Sequence, residues 1–442
     1  MATTVIGLGY VGLTLSLKLA EAGETVYGVD SNQKVVRSLQ EGSAHIREPG
    51  IEKLLEKHLG SRFFPSQTSP EPGSASTHIL CVNTPVSTDG TPDFSHLSQA
   101  ARSLSASLSK GDLVVVRSTV PPGATRRIVL PELERGSGLR CEEEFYLCVA
   151  PERTVEGNAL AELGRVPQII GGFDEKSSEL CRSFFSRIVQ DIKTVSSMEA
   201  AEMTKLMDNC YRYVTFALGN ELGVACEALG LDATEVISAA NWKYPRNDIK
   251  MPGAGVGGGC LPKDSSMLAA AMRNAGLEPR VLAAAREVNE YMPIHIMERI
   301  ANFHEEHSIP PQRSKILILG FAFKGRPEVN DTRHSPGGIL SKRLVDEGFN
   351  VWGYDPAVTE EQISAFGAKP CKDLEDGFRA ATCVVVMNNN QRWSNLDLEP
   401  LLSLQSNSSL VIDGWGVLRM PNSKPRGITY KRLCDGREAG TQ

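Results

Sequence analysis

The first thirty residues commit the chain to one kind of fold. A short apolar run, Thr3 to Ile6, leads into Gly7-Leu8-Gly9-Tyr10-Val11-Gly12. An amphipathic stretch from Val11 to Ala22 follows, stopped by Gly23, and then a second apolar run, Thr25 to Val29, ends at Asp30. Strand, glycine turn, helix and strand in that order open a parallel βαβ unit. The glycines suit a tight turn, the approach of a pyrophosphate to backbone, and close packing of helix on strand, while the helix N-terminus adds partial positive charge. A carboxylate at the tip of the second strand can accept hydrogen bonds from a ribose diol and repels a 2′-phosphate, so Asp30 favours NAD over NADP. Read without that context, Asp30 is a turn or cap residue.

The alternation continues through Ile79 to Val82, Leu113 to Val116 and Tyr146 to Val149, apolar runs bounded by turn residues and separated by helix-length segments. Buried parallel strands with crossover helices have this texture. From about Ser196 the period changes. Met198, Ala201, Leu206, Tyr211, Val214, Leu218, Leu222 and Ala225 recur at helical spacing without proline, which predicts one long helix of the kind that joins domains or forms a subunit interface. Helical segments follow over Leu231 to Ala240 and, after a glycine-rich break at 253 to 259, over Ser265 to Ala275 and Val281 to Phe303. Ser308 to Ser314, with Pro310 and Pro311, reads as a linker. Strands return at Lys315 to Leu319, Val351 to Tyr354, Cys383 to Met387 and Leu410 to Ile412. Two α/β lobes thus flank a helical middle.

Charge narrows the function. Lys and Arg total 47 against 53 Asp and Glu, a net −6 over 442 residues, which argues against a broad grip on nucleic acid or an anionic membrane. No apolar run approaches the roughly 20 residues of a membrane helix. The opening carries glycines and its first basic residue is Lys18, unlike a secretory signal, so the cytoplasm is expected. Ten cysteines are scattered without a CxxC pair, so most are expected to be reduced.

Several short segments carry candidate chemistry. Cys81-Val82-Asn83-Thr84-Pro85 and Ser118-Thr119-Val120-Pro121-Pro122-Gly123 end strands, where ligands sit in a doubly wound sheet, although Ser/Thr-Pro pairs are also ordinary turns. Gly253-Ala254-Gly255-Val256-Gly257-Gly258-Gly259-Cys260 precedes Leu261-Pro262-Lys263-Asp264 and a helical pattern. So many glycines suit close approach to a ligand, and the helix N-terminus with Lys263 would favour a Cys260 thiolate. A flexible hinge, a small buried cysteine and Asp264 as a plain N-cap are the competing readings. Glu202, Lys205, Asn209 and Arg212 lie along one helix face, read either as solvated with Glu202 and Lys205 as a surface pair, or as facing a site. His304-Glu305-Glu306-His307 lacks metal-ligand spacing, is read as a solvated helix end, and no metal is expected.

Together these segments resemble the nucleotide-sugar 6-dehydrogenase family. The resemblance rests on VIGLGYVG from Val5, VNTP from Val82, STVPPG from Ser118, PERTVEG from Pro151, EMTKLMDNCYR from Glu202, GVGGGCLPKD from Gly255 and GFAFKGRPEVNDTRHSP from Gly320. It implies an α/β fold with two Rossmann-like doubly wound domains, 1–195 and 308–442, joined by a helical, dimer-forming central domain over 196–307 that contains the long helix. It further implies NAD in the first domain, a UDP-sugar near the last, and oxidation of a C6 alcohol to the acid through a thioester on Cys260. Lys205 and Asn209 would stabilise the oxyanion, and Asp264, Thr119 and Glu152 would position or deprotonate water. The implied cofactor contacts are Gly7, Gly9, Tyr10, Val11, Gly12, Asp30, Asn83, Thr84, Pro85, Ser118, Thr119, Glu156 and Arg333. The implied substrate contacts are Glu152, Arg153, Lys205, Asn209, Arg246, Gly257 and Lys324.

Tyr244-Pro245-Arg246 and Arg153 resemble the branch acting on UDP-N-acetylhexosamines, whereas CLPKD at Cys260 is more like the UDP-glucose branch. The expected substrate is a UDP-N-acetylhexosamine. The alternatives are UDP-glucose or GDP-mannose oxidation, a two-electron β-hydroxyacid dehydrogenase, and a cofactor-binding scaffold without catalysis. Lys34 stands one place nearer Asp30 than the family pattern.

Overall fold

The structure, a computed structural model, describes residues 2–406, 408–421 and 427–437. The chain divides into two compact units, Met1–Asn209 with Lys263–Glu278, and Cys210–Pro262 with Pro279–Gln442. Each is built around one sheet. In the first unit eight strands, β1 (Ala2–Ile6), β2 (Thr25–Val29), β3 (Phe63–Ser66), β4 (Thr77–Leu80), β5 (Leu113–Val116), β6 (Tyr146–Val149), β7 (Gln168–Gly172) and β8 (Ile192–Thr194), lie in the order β3-β2-β1-β4-β5-β6-β7-β8. Every pairing is parallel except β6 with β7. The order reverses between β1 and β4, which puts a ligand crevice at their carboxyl ends.

Alternation along these strands builds two apolar layers. Val5, Ile79, Val115 and Cys148 pack with Leu13, Leu17, Ile51 and Leu55 on one face. Ile6, Leu80, Val114, Val116, Leu147 and Val149 pack with Leu97, Ala101 and Leu104 on the other. A sheet covered on both faces by helices needs apolar residues at every position, as these runs have.

The second unit repeats the theme. Strands β9 (Lys315–Leu319), β10 (Asn350–Tyr354), β11 (Lys369–Pro370), β12 (Cys383–Val386), β13 (Ser409–Asp413) and β14 (Ile428–Arg432) form an all-parallel sheet in the order β11-β10-β9-β12-β13-β14. Its opening loop is longer. The turn glycine after β9 is Gly320 and the glycine packed on it is Gly337, so residues 321–336 lie where only 8–11 lie in the first unit. Asp355, after β10, is buried. Its Oδ2 accepts from the N–H groups of Phe321 (2.7 Å) and Ala322 (2.9 Å) and from Asn388 Nδ2 (3.1 Å), and its Oδ1 accepts from Ala357 N–H (2.8 Å).

The predicted long helix is Met198–Ala228, followed by Ala233–Asn241, Leu261–Asn274 and Arg280–Glu306. None of the described helices is long and apolar enough to cross a membrane. The helix end at His304 is not solvated. Its ring is buried, with Nδ1 against Ile300 O and Nε2 against Thr382 Oγ1, while His307 is exposed.

Candidate active site

The glycine turn after β1 is dictated by space. Gly7 holds φ +92°, and a methyl added there would lie 2.8 Å from Cys81 O; one added at Gly12 would lie 1.8 Å from Gly7 O. Neither position admits a side chain, so the helix Tyr10–Glu21 starts hard against the strand. Gly9 has open space around it, and Tyr10 and Val11 are half-buried. Asp30 stands half-exposed at the tip of β2. Its Oδ2 accepts from Leu8 N–H and its Oδ1 from Asn32 N–H, each at 2.8 Å, which braces the turn. After β4, Asn83 is exposed, Pro85 half-buried and Thr84 buried with no hydrogen-bond partner on its hydroxyl. Ser118, after β5, donates its hydroxyl to Val82 O at 2.7 Å, which ties the two loops together. Thr119 and Glu156 are half-buried.

Beyond β6 the same unit assembles a set of charged groups. Glu152 Oε2 receives Nε (3.1 Å) and Nη2 of Arg117, and its Oε1 receives the N–H groups of Arg153 and Thr154, each at 2.7 Å. Burial alone would lift this carboxyl. The Arg117 guanidinium, the Thr154 N–H and the charge of Lys205 outweigh it and hold the group below the usual glutamate range. Glu152 is therefore a fixed anion, and for it to take a proton from water one of these donors must first let go. Arg153 donates to Asp208 (2.8 Å) and Pro167 O (3.0 Å).

On the long helix the polar face is buried at Glu202 and Asn209 and solvated at Arg212, and Glu202 is no surface partner of Lys205. Glu202 is buried and accepts from Gly123 N–H (2.5 Å) and Thr125 N–H (2.8 Å), anchoring the segment that follows Ser118 and Thr119. Lys205 is half-buried and Arg212 exposed. Asn209 is buried and donates to Asp264 Oδ2 at 2.6 Å. Asp264, 1% exposed, has Lys263 Nζ 2.6 Å from Oδ1, an ion pair rather than an aligned hydrogen bond.

In the second unit the loop 257–260 lies beneath residues 323–336. Methyl groups added to Gly257, Gly258 and Gly259 would meet His334 O at 2.5 Å, the Phe323 ring at 2.8 Å and the Arg333 guanidinium at 2.4 Å. Gly258 N–H donates to Arg333 O at 2.8 Å. Cys260 directly precedes the helix Leu261–Asn274, whose first turn carries Asp264, and it is the exposed member of the ten cysteines, none in a disulfide. Arg333 also pairs with Asp331 (2.6 Å), Lys324 lies over the Phe323 ring (5.3 Å), and Arg246 is bonded to Tyr244 OH (2.9 Å). A Gly258→Ala variant meets both a φ of +89° and the Phe323 ring. We expect about 1–3 kcal/mol of lost stability in urea unfolding and a clear fall in turnover.

The NAD-binding, central and UDP-binding domain models of the UDP-glucose/GDP-mannose dehydrogenase family match residues 1–189, 199–291 and 317–420 in turn. The chain belongs to that family. UDP-N-acetyl-D-mannosamine dehydrogenase of Methanocaldococcus jannaschii is 33% identical over 98% of this chain and 97% of its own. The solved UDP-D-ManNAc dehydrogenase of Pyrococcus horikoshii superposes with a TM-score of 0.90 at 32% identity, covering 99% of this chain and 100% of that one. A UDP-glucose dehydrogenase structure from Pyrobaculum islandicum gives 0.83 at 26%, covering 98% and 97%. This family member is an NAD-dependent nucleotide-sugar dehydrogenase. The first unit fits the cofactor: a crevice closed to side chains at Gly7 and Gly12, a half-exposed acid at Asp30 and an orphaned buried hydroxyl at Thr84.

Reading the family member's sequence alone misses Arg117 and Glu202 as buried supports. Arg117 stands directly before Ser118, and a charged residue closing an apolar strand run is the signal that could have found it.

Proposed function

We propose that the chain oxidises C6 of a UDP-N-acetylhexosamine to the acid, removing four electrons through a thioester on Cys260. The observation that carries this reading is the exposed thiol of Cys260 at the head of a helix, on a glycine loop packed against the His334 backbone at Gly257 and the Phe323 ring at Gly258. NAD+ supplies the hydride acceptor when bound, and Gly7 to Gly12, Asp30 and Asn83 to Pro85 would hold it, with Ser118, Thr119, Glu156 and Arg333 as further contacts. The C6 alcohol loses one hydride and a proton to become the aldehyde, and sulfur adds to it as a thiohemiacetal. Loss of a second hydride and a proton gives the thioester, and water then releases the acid and frees the thiol, each hydride needing its own acceptor. Lys205 and Asn209 donate to the oxyanion. Asp264, paired with Lys263, is the group we propose takes a proton from water, with Thr119 and Glu152 positioning.

The sugar class rests on Arg153, on Tyr244-Pro245-Arg246, and on relatives named for N-acetylmannosamine and N-acetylgalactosaminuronic acid. Gly257 and Lys324 complete the proposed substrate contacts. We also propose a homodimer, supported by Tyr211, Leu218 and Leu222, large apolar residues exposed along one face of the long helix. We further propose domain boundaries at 195/196 and 307/308, supported by the gaps 190–198 and 292–316 between the matched family models.

Turnover with NAD+ and each of UDP-N-acetylmannosamine, UDP-N-acetylglucosamine, UDP-glucose and GDP-mannose tests the reading. We expect an N-acetylhexosamine to be preferred, with two NADH per acid. One NADH per sugar would remove the thioester, and a preference for UDP-glucose would remove the sugar assignment.

A further inference from the structure

One buried carboxylate of the first unit lies outside everything assigned so far. Glu48 sits in the loop between the helices Gln33–Gln40 and Ile51–His58 and is 5% exposed. Its Oε2 accepts the hydroxyl proton of Tyr10, and its Oε1 accepts Leu160 N–H at 3.0 Å. The Tyr10 oxygen in turn accepts Gly157 N–H at 2.5 Å. Tyr10 belongs to the glycine turn after β1, whereas Gly157 and Leu160 follow β6. In the sheet β4 and β5 stand between those strands, so the two loops start about 14 Å apart at the usual strand spacing. The Tyr10 side chain and the Glu48 carboxylate together join them.

The chemistry of the joint is specific. The phenol oxygen receives Gly157 N–H and donates its own proton to Glu48, so both its donor and an acceptor site are used in the joint. Burial and the neighbouring Glu48 push the phenol well above its ordinary pKa, so it remains a donor. The second carboxylate oxygen is then free for Leu160 N–H, at the start of the helix Ala159–Glu162. An amide in place of Glu48 could serve only one of these two donors.

This arrangement carries a cost. A buried anion beside the first residue of the helix Tyr10–Glu21 weakens the positive field that a helix N-terminus offers to a pyrophosphate. If charge were all that mattered, removing Glu48 would tighten the cofactor. A role in geometry predicts the opposite.

We propose that Glu48 is a positioning residue for NAD, locking the glycine turn at Tyr10 to the 157–160 segment so that the cofactor meets a preformed loop. The proposal rests on the NAD dependence of the family and not on the thioester or on which sugar is oxidised.

The test is the steady-state kinetics of Glu48→Gln with the sugar saturating, alongside NADH binding followed by fluorescence and thermal unfolding. We expect KM for NAD+ and Kd for NADH to rise on the order of tenfold, as loss of one charge-assisted buried hydrogen bond implies, with kcat within about twofold. Adding Tyr10→Phe should then cost little more, because both changes cut the same link. A lower KM for NAD+, or an unchanged one in a folded variant, would overturn the proposal. So would a fall in kcat that merely follows lost stability. If Glu48→Gln does not fold, Tyr10→Phe alone, which removes a single oxygen, must raise KM for NAD+; if it does not, the proposal fails. A wild-type enzyme yielding one NADH per sugar would sink the thioester reading and leave these outcomes unchanged.

Discussion

A Cys260→Ser variant is expected to bind NAD+ as the parent does and to release no acid, with turnover lower by roughly 10⁴-fold or more, as when a covalent nucleophile is removed. The substitution is nearly isosteric at an exposed position and leaves Gly257 to Gly259 in place, so the fold should survive. A hydroxyl is a far weaker nucleophile than a thiol at neutral pH because so little of it ionises. The residues proposed to hold the dinucleotide at Gly7 to Gly12, Asp30 and Thr84 belong to the other compact unit. NADH titration, acid release and mass spectrometry for a sugar adduct check the three parts. Full turnover by the serine variant would eliminate the thioester.

The second large effect is expected at Asp264. Asp264→Asn keeps the shape of the side chain but removes the charge that faces Lys263 Nζ at 2.6 Å. It also forces the new amide to share its one acceptor oxygen with the Asn209 amide, which now donates to the carboxylate. We expect turnover to drop by about two to four orders of magnitude, the usual reach of a general base. Asp264→Ala should in addition destabilise the fold by about 3–5 kcal/mol, since it strands a largely buried ammonium. Chemical denaturation separates the two. If the asparagine variant turns over normally, Asp264 is a cap and nothing more.

Much of the fold is legible in the chain because buried parallel strands must be apolar throughout. Leu113–Val116, Tyr146–Val149 and Lys315–Leu319 form strands with the limits their runs suggest. β4 runs Thr77–Leu80 rather than Ile79–Val82, because Thr77 and His78 already pair with Thr3 and Thr4 of β1, while the ladder ends before the crevice loop at Cys81 and Val82. Strands with weaker patterns escape: β3 contains Pro65, β7 ends in two glycines, and β14 mixes Lys431 and Arg432 into its run. The burial of Glu202 and Asn209 is hidden for another reason. A polar residue on a helix looks solvated until its partner is known, and Thr125 and Asp264 are far away in sequence. Motif and spacing find Cys260, whereas Arg117, Glu202 and Glu48 act through backbone or through another residue, which no local pattern reports.

The two strand-tip acids have opposite fates. Asp355 is swallowed by the turn it braces, while Asp30 braces its turn and still shows a face to solvent. Of the pair, then, a single berth can greet a ribose. An oxidation that strips two hydrides from one carbon must run both through that berth, so the spent carrier has to depart and a fresh one dock while the sugar is only half finished. Whatever moors the sugar during the exchange must belong to the protein, and a covalent tether is the mooring least apt to slip.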